Sequence, residues 1–313
     1  MSRRIPADST RLPMIPIIRY PRFKQLSRLF WQCAEMTERT GEPQCMALEG
    51  QSGVGKSTLV EDIVRAYPRL ETRAGTRVPV FYMMIPSPAT VKSVASVCLV
   101  ELGDPAGQKG PQWSMDQRLR ILLPGCGVRL AILDDFHHLI DRDRNRVIET
   151  VSDWLKVLIK TTRVTFVVTG LEGSIDQILD SNPQLSRLFA IRETLRPFDW
   201  DTQGSEFVKF IEYVEKALDK SISTKLSRTE LVRRIYMATH GLVGNVMNLM
   251  RYASLMAHDK DVLELPDLAW AFQTRLARQL KTKVNPFVET TIKAIECDQN
   301  NVRIKTGLKP LGL

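Results

Sequence analysis

The sequence predicts an α/β fold in which a parallel sheet is covered by helices and followed by a small all-helical domain. Two observations predict it. Short apolar runs rich in β-branched and aromatic residues alternate with helical patterns as far as Pro197, and only helical patterns follow. Continuous apolar runs indicate strands buried on both faces, and their alternation with helices is typical of a parallel sheet.

Four runs are predicted as strands of this sheet. They are C-M-A-L-E at 45–49, V-P-V-F-Y-M-M-I at 78–85, R-L-A-I-L at 129–133 and V-T-F-V-V at 164–168. Helical patterns precede and separate the strands, at about 23–39, 56–67, 89–102, 114–123 and 144–160. We therefore expect an α/β domain over residues 23–200.

The second domain, over residues 201–280, is predicted from helical patterns alone. They lie at 203–219, 227–239, 242–258 and 266–280. Ser227 with Glu230 makes a capping-box signature, and Pro266 suits the start of the last of these helices. No strand candidate is found after Pro197.

Both ends of the chain are rich in basic residues. Residues 1–28 carry seven Lys and Arg side chains against the single acid Asp8, and four prolines there oppose a continuous helix. We interpret residues 1–22 as an extended basic arm and residues 281–313 as a C-terminal tail. Within the tail, V-N-P-F at 284–287 is a candidate partner-binding segment.

Composition favours a globular protein with a polyanionic partner. Apolar residues make up 43% of the 313 positions, and 44 Lys and Arg against 35 Asp and Glu give a net charge of +9. Positive potential attracts nucleic acid, although a solvated basic surface is the alternative interpretation. The five cysteines form no C-x-x-C pair, which disfavours a zinc or iron–sulfur site and indicates core thiols. No run approaches the roughly 20 apolar residues that span a bilayer, so we expect a cytoplasmic protein with no membrane partner.

The strongest motif is G-Q-S-G-V-G-K-S-T, directly after a predicted strand and directly before a predicted helix. It fits the pattern G-x-x-x-x-G-K-[S/T] of a phosphate-binding P-loop. Glycines let backbone N–H groups turn toward phosphate oxygens, and the following helix presents its positive end to the same anion. Lys56 is expected to reach the β- and γ-phosphates and Ser57 to bind Mg²⁺. The predicted nucleotide-binding residues are Gly50, Gln51, Ser52, Gly53, Val54, Gly55, Lys56, Ser57 and Thr58.

Two carboxylates follow the predicted strand R-L-A-I-L. Asp134 stands where a carboxylate holds Mg²⁺, directly or through water. Asp135 stands where many such enzymes carry Glu to polarise the attacking water, and it is one methylene shorter. The alternative is that Asp135 only caps the following turn. His137 and His138 are adjacent and are interpreted as structural.

In these motifs and their order the chain resembles the AAA+ superfamily, and within it the transposition regulators of the TniB/TnsC type. The resemblance covers about residues 19–260. Besides the P-loop, it rests on R-Y-P-R at 19–22, V-P-V-F-Y-M-M-I-P-S-P at 78–88, G-C-G-V-R-L-A-I-L-D-D-F-H-H-L at 125–139, N-P-Q-L-S-R-L-F at 182–189 and A-T-H-G-L-V-G-N at 238–245.

The resemblance implies a five-stranded parallel sheet, a helical lid domain, and ATP with Mg²⁺ as the ligands. It assigns Thr169 as a polar sensor of the γ-phosphate, and Arg187 as an arginine finger that reaches a neighbouring subunit. A strand-end threonine and a solvated surface arginine are the respective alternatives. Where relatives often have a lid arginine, Asn245 follows the second glycine, with Arg251 as a weak substitute. This departure and the short Asp135 point to slow turnover.

The resemblance also implies head-to-tail assembly around double-stranded DNA as a ring or filament, with a DDE-type transposase and a TniQ-type target-selection protein as partners. The candidate DNA-backbone contacts are Lys92, Lys109, Arg118 and Arg120. A solvated helix face is the alternative for each. No base-reading motif is found, so we expect binding through phosphates and DNA shape.

Three functions stay open on the sequence. The first is an ATPase switch that recruits transposase to target DNA and is cleared by hydrolysis. The second is a nucleotide-stabilised scaffold that coats DNA with negligible hydrolysis. The third is another AAA+ ATPase of the initiator or helicase-loader kind.

Overall fold

The computed structural model describes residues 15–73, 75–87, 89–139, 144–222, 226–282 and 284–288, with the backbone alone at 144–147. The chain divides into two compact units. The α/β unit is Pro21–Leu195, and the helical unit combines the segment up to Tyr20 with the chain from Arg196 onward. The predicted basic arm at 1–22 lies outside the described residues as far as residue 14.

The α/β unit alternates strands and helices. Its helices are α1 (Pro21–Thr40), α2 (Lys56–Ala66), α3 (Val91–Leu102), α4 (Gln112–Gly125), α5 (Arg144–Thr162), α6 (Ser174–Leu179) and α7 (Pro183–Leu188). Its strands are β1 (Met46–Glu49), β2 (Leu70–Thr72), β3 (Gly75–Arg77), β4 (Val80–Met84), β5 (Leu130–Asp134), β6 (Thr165–Gly170) and β7 (Ile191–Thr194).

Five of these strands form a parallel sheet in the order β4-β5-β6-β1-β7, which confirms the predicted five-stranded parallel sheet. The register aligns Glu49 of β1 with Gly170 of β6 and Thr194 of β7, and it aligns Met84 of β4 with Asp134 of β5. The carboxyl ends of the strands therefore share one edge. The strand order reverses at β1, and open α/β sheets bind ligands at such a switch point.

Three small features of this unit were not predicted. Strand β7 has intermediate exposure along its whole length, α6 and α7 have six residues each, and β2 and β3 form an antiparallel pair of mostly exposed residues. Elements this short or this polar leave no apolar period in the sequence.

The core of the α/β unit lies between the sheet and its helices, with Phe30, Leu48, Leu59 and Phe81 almost completely buried. The described cysteines are buried and free, as the sequence predicts. Burial raises the pKa of Cys45 and Cys98 to about 12. These thiols are therefore neutral core groups at ordinary pH.

The helical unit contains α8 (Trp200–Leu218), α9 (Arg228–Thr239), α10 (Val243–Met256), α11 (Leu265–Arg275), β8 (Ser221–Ile222) and β9 (Val262–Leu263). Ser227 caps α9 by accepting a hydrogen bond from the Glu230 amide at 3.2 Å, and Pro266 lies in the first turn of α11, as predicted. The expectation of no strand after Pro197 is wrong, because β8 and β9 pair in parallel over two residues each.

Aromatic rings fill the core of the helical unit. Phe198 contacts Tyr20, Phe207 and Phe210 with ring centroids 5.2–5.4 Å apart, and Phe207 contacts Tyr236 at 5.5 Å. Residues 15–20 have no regular structure, but Tyr20 is buried in this cluster. The end of the predicted arm therefore belongs to the core of the helical unit.

The V-N-P-F segment is also part of this unit, contrary to its interpretation as a partner-binding segment. Phe287 is buried with its ring 6.3 Å from that of Phe272, and the buried Arg234 donates a hydrogen bond of 2.7 Å to the carbonyl of Pro286. An aromatic ring committed to the core is not available to a partner. The rest of the predicted tail, from residue 289, lies outside the described residues. No helix in the described ranges is long and apolar enough to cross a membrane.

Candidate nucleotide-binding site

The glycine-rich loop joins β1 to α2 at the reversal point of the sheet. Gly53 and Gly55 have φ angles of 82° and 107°, in the left-handed region that favours glycine. At Gly50 a Cβ atom would lie 2.3 Å from the carbonyl oxygen of Leu195, so no larger residue fits there. The glycines at these positions therefore satisfy backbone and packing requirements, as the motif predicts.

The first turn of α2 is a site of free N–H groups. Gly55 is its N-cap, no side chain caps the turn, and no acidic side chain lies in it. Within the described ranges, the first amide of the helix with a protein acceptor is that of Leu59, which bonds the carbonyl of Gly55 at 3.0 Å. The preceding amides and the helix dipole together favour an anion. Gln51, Ser52, Ser57 and Thr58 are exposed around this turn, whereas Val54 is buried beneath it.

Lys56 is buried at 8% relative exposure, and its ammonium donates to the carbonyls of Gly50 at 2.5 Å and Gln51 at 3.2 Å. Burial lowers the pKa of Lys56, and the carboxylates of Asp134, Asp135 and Glu49 oppose the shift. The ammonium therefore lies in a partly desolvated site without a direct ion pair in the described residues. A triphosphate would supply the missing negative charge.

Asp134 is the last residue of β5 and is 1% exposed. Its Oδ1 accepts a short hydrogen bond from the Thr169 hydroxyl on the neighbouring strand and another, of 3.0 Å, from the Asp135 amide. The structure thus brings the predicted metal ligand and the predicted sensor into direct contact at the edge of the sheet that carries the P-loop.

Asp135 is held in a left-handed conformation, with φ of 54°, and its side chain is 34% exposed. Its Oδ1 lies 3.9 Å from Nδ1 of His137, whereas His138 directs Nδ1 to the carbonyl of Ile85 at 3.1 Å. Burial and then the nearby His138 lower the pKa of His137, so this ring is neutral at pH 7. Asp135 is thus an accessible carboxylate beside a neutral ring, and the described residues provide it with no cationic partner within ion-pair distance.

The residues present fit a nucleotide with Mg²⁺. The described residues contain no group of three or more His, Cys, Asp or Glu side chains that would hold a metal ion by itself. Mg²⁺ usually keeps several waters and takes one or two carboxylates plus phosphate oxygens. The exposed hydroxyl of Ser57 and the carboxylate of Asp134 are the ligands of that kind at this site.

Arg187, the predicted arginine finger, lies in the last turn of α7 and is exposed. Its guanidinium has no hydrogen bond or ion pair with any described residue of the chain. The structure therefore does not connect Arg187 to the P-loop of its own subunit, and it leaves the guanidinium free for another molecule.

The predicted DNA contacts separate into two groups. Lys92, Lys109 and Arg120 are exposed, and their side chains have no ion pair in the described part of the chain. Arg118, in contrast, pairs with Asp104 at 2.6 Å and donates to the carbonyls of Ala106 at 2.8 Å and Lys109 at 2.7 Å. These contacts stabilise the loop before α4, while the buried Nε of Arg118 has no hydrogen-bond partner in the described residues, and its role as a DNA contact stays a prediction.

Two residues at the site were missed. Glu49, at the end of β1, accepts hydrogen bonds from the amides of Gly173 at 2.9 Å and Ile175 at 2.7 Å, and so connects the strand before the P-loop to α6. Tyr82 lies beside Asp134, and burial followed by the charges of Asp134 and Asp135 raises its pKa to about 12. The acid at the end of the first strand was a usable signal for Glu49. Tyr82 gave no signal because aromatic residues are common in β-strands, and nothing in the sequence sets this one apart.

In the helical unit, Asn245 is buried and donates to the carbonyl of Thr239 at 3.3 Å. The Nε atom of Arg251 is buried, with no hydrogen-bond partner in the described residues. Asn245 therefore bonds the turn before α10 through one N–H of its side-chain amide.

The site combines a glycine loop with free amides, a buried lysine and a pair of carboxylates on adjoining elements, which is typical of P-loop nucleotide-binding proteins. The fold agrees with that class. The chain aligns with the structure of CDC6P from Pyrobaculum aerophilum at a TM-score of 0.62 and 14% identity, over 99% of this chain and 86% of that one. It aligns with the Aeropyrum pernix ORC2 protein in its ADPNP–ADP complexes at a TM-score of 0.57 and 15% identity, over 97% and 84%.

A third similar structure is the Aeropyrum pernix ORC1 protein in complex with DNA, with a TM-score of 0.55 and 15% identity over 85% of this chain and 68% of that one. The sequence profile described as Bacterial TniB protein matches residues 13–198, more than half of the chain. The protein therefore belongs to the TniB family, which confirms the resemblance found in its sequence. A search of curated proteins finds no significant match.

Proposed function

We propose that the protein is an ATP-dependent regulator of DNA transposition that assembles on double-stranded target DNA as a ring or filament and recruits a transposase. Hydrolysis of the bound ATP drives disassembly. The expected protein partners are a DDE-type transposase and a TniQ-type target-selection protein. Membership of the TniB family supports this assignment.

The observation that carries the proposal is the state of Arg187. It is exposed on a short helix, and the described residues provide no partner for its charge. A planar guanidinium stabilises charge on a transferring phosphoryl group when a neighbouring subunit supplies it. Head-to-tail contacts of this kind produce rings or open filaments. Assembly then depends on nucleotide because the γ-phosphate is part of the subunit interface.

Each residue of the site has a distinct role in this proposal. The free amides of α2 and the Lys56 ammonium bind the phosphates, while Ser57 and Asp134 hold Mg²⁺, which supplies neutralisation of phosphate charge. Asp135 orients the attacking water and accepts its proton. Thr169 holds Asp134 in place and lies where a polar sensor of the γ-phosphate is expected.

DNA contacts are assigned to Lys92, Lys109 and Arg120, which are the exposed members of the predicted set. Long basic side chains on loops and helix surfaces neutralise phosphates without reading bases. We therefore expect binding that is insensitive to sequence and that weakens steeply as salt is added.

The decisive experiment combines phosphate release with imaging. Purified protein is mixed with duplex DNA and ATP, and release of phosphate is compared with that of a Lys56→Ala variant. The proposal expects release that DNA stimulates and that the variant lacks, together with rings or filaments on DNA in a non-hydrolysable ATP analogue. Isolated monomers under those conditions would contradict the assembly.

The geometry of Asp135 favours a second candidate, a nucleotide-stabilised scaffold on DNA with negligible hydrolysis. The side chain is one methylene shorter than Glu, and its backbone is held in the left-handed region. The same experiment separates the two functions, since the scaffold forms filaments with ATP but releases no phosphate above the Lys56→Ala level. An initiator-like ATPase is the third candidate, and failure to bind the transposase in any nucleotide state would favour it.

A further inference from the structure

The short helix that carries Arg187 is contacted by Arg192, a partly buried arginine on β7. The guanidinium of Arg192 donates to five acceptors, and none of them lies on β7 itself. They are Asp176 Oδ1 at 2.7 Å, Asp180 Oδ1 at 2.6 Å, Asp180 Oδ2 at 3.2 Å, Ser186 Oγ at 2.8 Å and the Phe189 carbonyl at 3.2 Å. An arginine has five N–H donors, so this set is complete.

These acceptors lie on both sides of Arg187. Asp176 and Asp180 belong to α6 and its end, Ser186 directly precedes Arg187, and Phe189 ends α7. Ser186 also donates to Asp180 at 2.9 Å, so its hydroxyl is bonded at both its oxygen and its proton. A helix of six residues has little stability of its own. Its orientation therefore depends on such contacts.

The pairing of β7 with β1 fixes the position of Arg192 in the sheet. Arg192 pairs in register with Ala47 of β1, the strand that leads into the P-loop. Glu49 at the end of β1 also binds the start of α6 through the amides of Gly173 and Ile175. The α6–α7 segment is thus attached at two points to the strands beside the nucleotide site.

We propose that Arg192 is a positioning residue that holds α7 so that Arg187 meets the nucleotide of the neighbouring subunit, an inference that rests on the head-to-tail assembly proposed above. Arg192 touches no substrate. Its function is exerted through Ser186 and Phe189, and its effect is seen in the site of the next subunit.

The chemistry excludes a simple replacement by lysine. The planar guanidinium bonds two carboxylates, a hydroxyl and a carbonyl at fixed angles, whereas an ammonium has three donors on a flexible stem. Without the guanidinium, Asp176 and Asp180 lose their common counter-charge, and Ser186 loses one of its two hydrogen bonds. We therefore expect Arg192→Lys to resemble Arg192→Met in activity.

The first measurement is DNA-stimulated hydrolysis by Arg192→Met. We expect a fall in kcat of about 100-fold, because a displacement of about 1 Å in a catalytic group costs this much. Nucleotide affinity should be unchanged because the P-loop is intact. The matched control is Arg129→Met, which removes a two-point ion pair with Glu38 in the same unit and should leave kcat as it is. If Arg192→Met does not fold, Asp180→Asn and Ser186→Ala weaken the same anchor more mildly.

The second measurement tests whether Arg192 acts on the next subunit. Arg192→Met subunits are mixed with donor subunits that carry Asp134→Asn and Asp135→Asn, which keep Arg187 and Arg192 but lack both site carboxylates. We expect hydrolysis of about a quarter of the native rate in an equal mixture, because half of the subunits have a working site and half of these have a donor neighbour. Each variant alone should be nearly inactive.

A parallel mixture with Arg187→Ala subunits distinguishes the possible failures. Recovery with Arg187→Ala but not with Arg192→Met would overturn the role of Arg192 and leave the proposed assembly intact. Recovery with neither Arg187→Ala nor Arg192→Met would contradict the arginine-finger role of Arg187, and the inference about Arg192 would be wrong as well. Native kcat in Arg192→Met alone would also overturn the inference.

Discussion

The P-loop and the α6–α7 segment belong to the same unit, but their charged groups have very different numbers of protein partners. The ammonium of Lys56 bonds two backbone carbonyls, and the amides at the start of α2 have no protein acceptor before Leu59 in the described residues. The guanidinium of Arg192 uses all five of its donors within the protein.

This difference teaches how binding and positioning groups can be told apart. A buried polar group with an incomplete set of partners carries a desolvation cost that a ligand relieves. A group with a complete set has nothing left to offer a ligand, and its contribution is to fix geometry. Lys56 is of the first kind and Arg192 is of the second, whereas Arg187, Lys92 and Arg120 are exposed cations that no described residue pairs.

The largest expected effect is that of Lys56→Ala on nucleotide binding. In the proposed site the ammonium would make charge-assisted bonds to phosphate worth about 1.5–3 kcal/mol each, so loss of two should lower affinity for ATP by at least about 100-fold. Titration with a fluorescent ATP analogue measures this change. Lys24→Ala, which removes an exposed lysine on α1, is the control and should bind normally. Equal affinity in the two variants would contradict the assignment of the P-loop.

The next effect is that of Asp135→Asn on turnover. If this carboxylate activates water, its loss lowers kcat by about 100-fold or more, since general-base catalysis contributes about 10²–10⁴. ATP affinity and assembly on DNA should persist because Lys56 and Ser57 are unchanged. Single-turnover phosphate release measures the rate. A native rate in the variant would support the interpretation of Asp135 as a turn residue.

A smaller effect is expected from Thr169→Val, and β6 offers a matched control. Thr169 donates to Asp134, whereas Thr165 on the same strand is equally buried and exchanges a hydrogen bond of 2.7 Å with Thr37. Each valine should lower the free energy of unfolding by about 1–3 kcal/mol, because each removes a buried bond.

Only Thr169→Val should also reduce kcat, by about tenfold, which corresponds to one hydrogen bond to a charged group. Chemical denaturation and steady-state kinetics on both variants provide the two measurements. Equal kcat values for Thr165→Val and Thr169→Val would remove Thr169 from the site.

Comparison of sequence and structure shows which features local chemistry reveals. The P-loop was predictable because its spacing is fixed and it stands between an apolar strand and a helix. Asp134 was predictable as a strand-end carboxylate because it directly follows the apolar run R-L-A-I-L, and the structure shows that it ends β5, which is completely buried. Both signals lie within a few neighbouring residues.

The features that were missed depend on contacts between distant parts of the chain. Strand β7 contains Arg192 and Glu193, and its intermediate burial leaves no apolar run to recognise. Arg118 looked like a free cation on a helix because the sequence does not show that the preceding loop turns back toward it through Asp104. Partners of this kind are determined by tertiary structure, and residue type and spacing do not predict them.

The smallest expected effect separates Arg120 from Arg118 in DNA binding. Arg120→Gln removes an exposed charge, so the slope of log affinity against log salt should fall by about one. Arg118→Met should leave that slope unchanged and instead lower the free energy of unfolding by about 1–3 kcal/mol, since Asp104 and two loop carbonyls lose their donor. Fluorescence anisotropy at several salt concentrations measures the slope, and denaturation measures stability. A change of slope in Arg118→Met with native stability would show that this guanidinium leaves the loop to bind DNA.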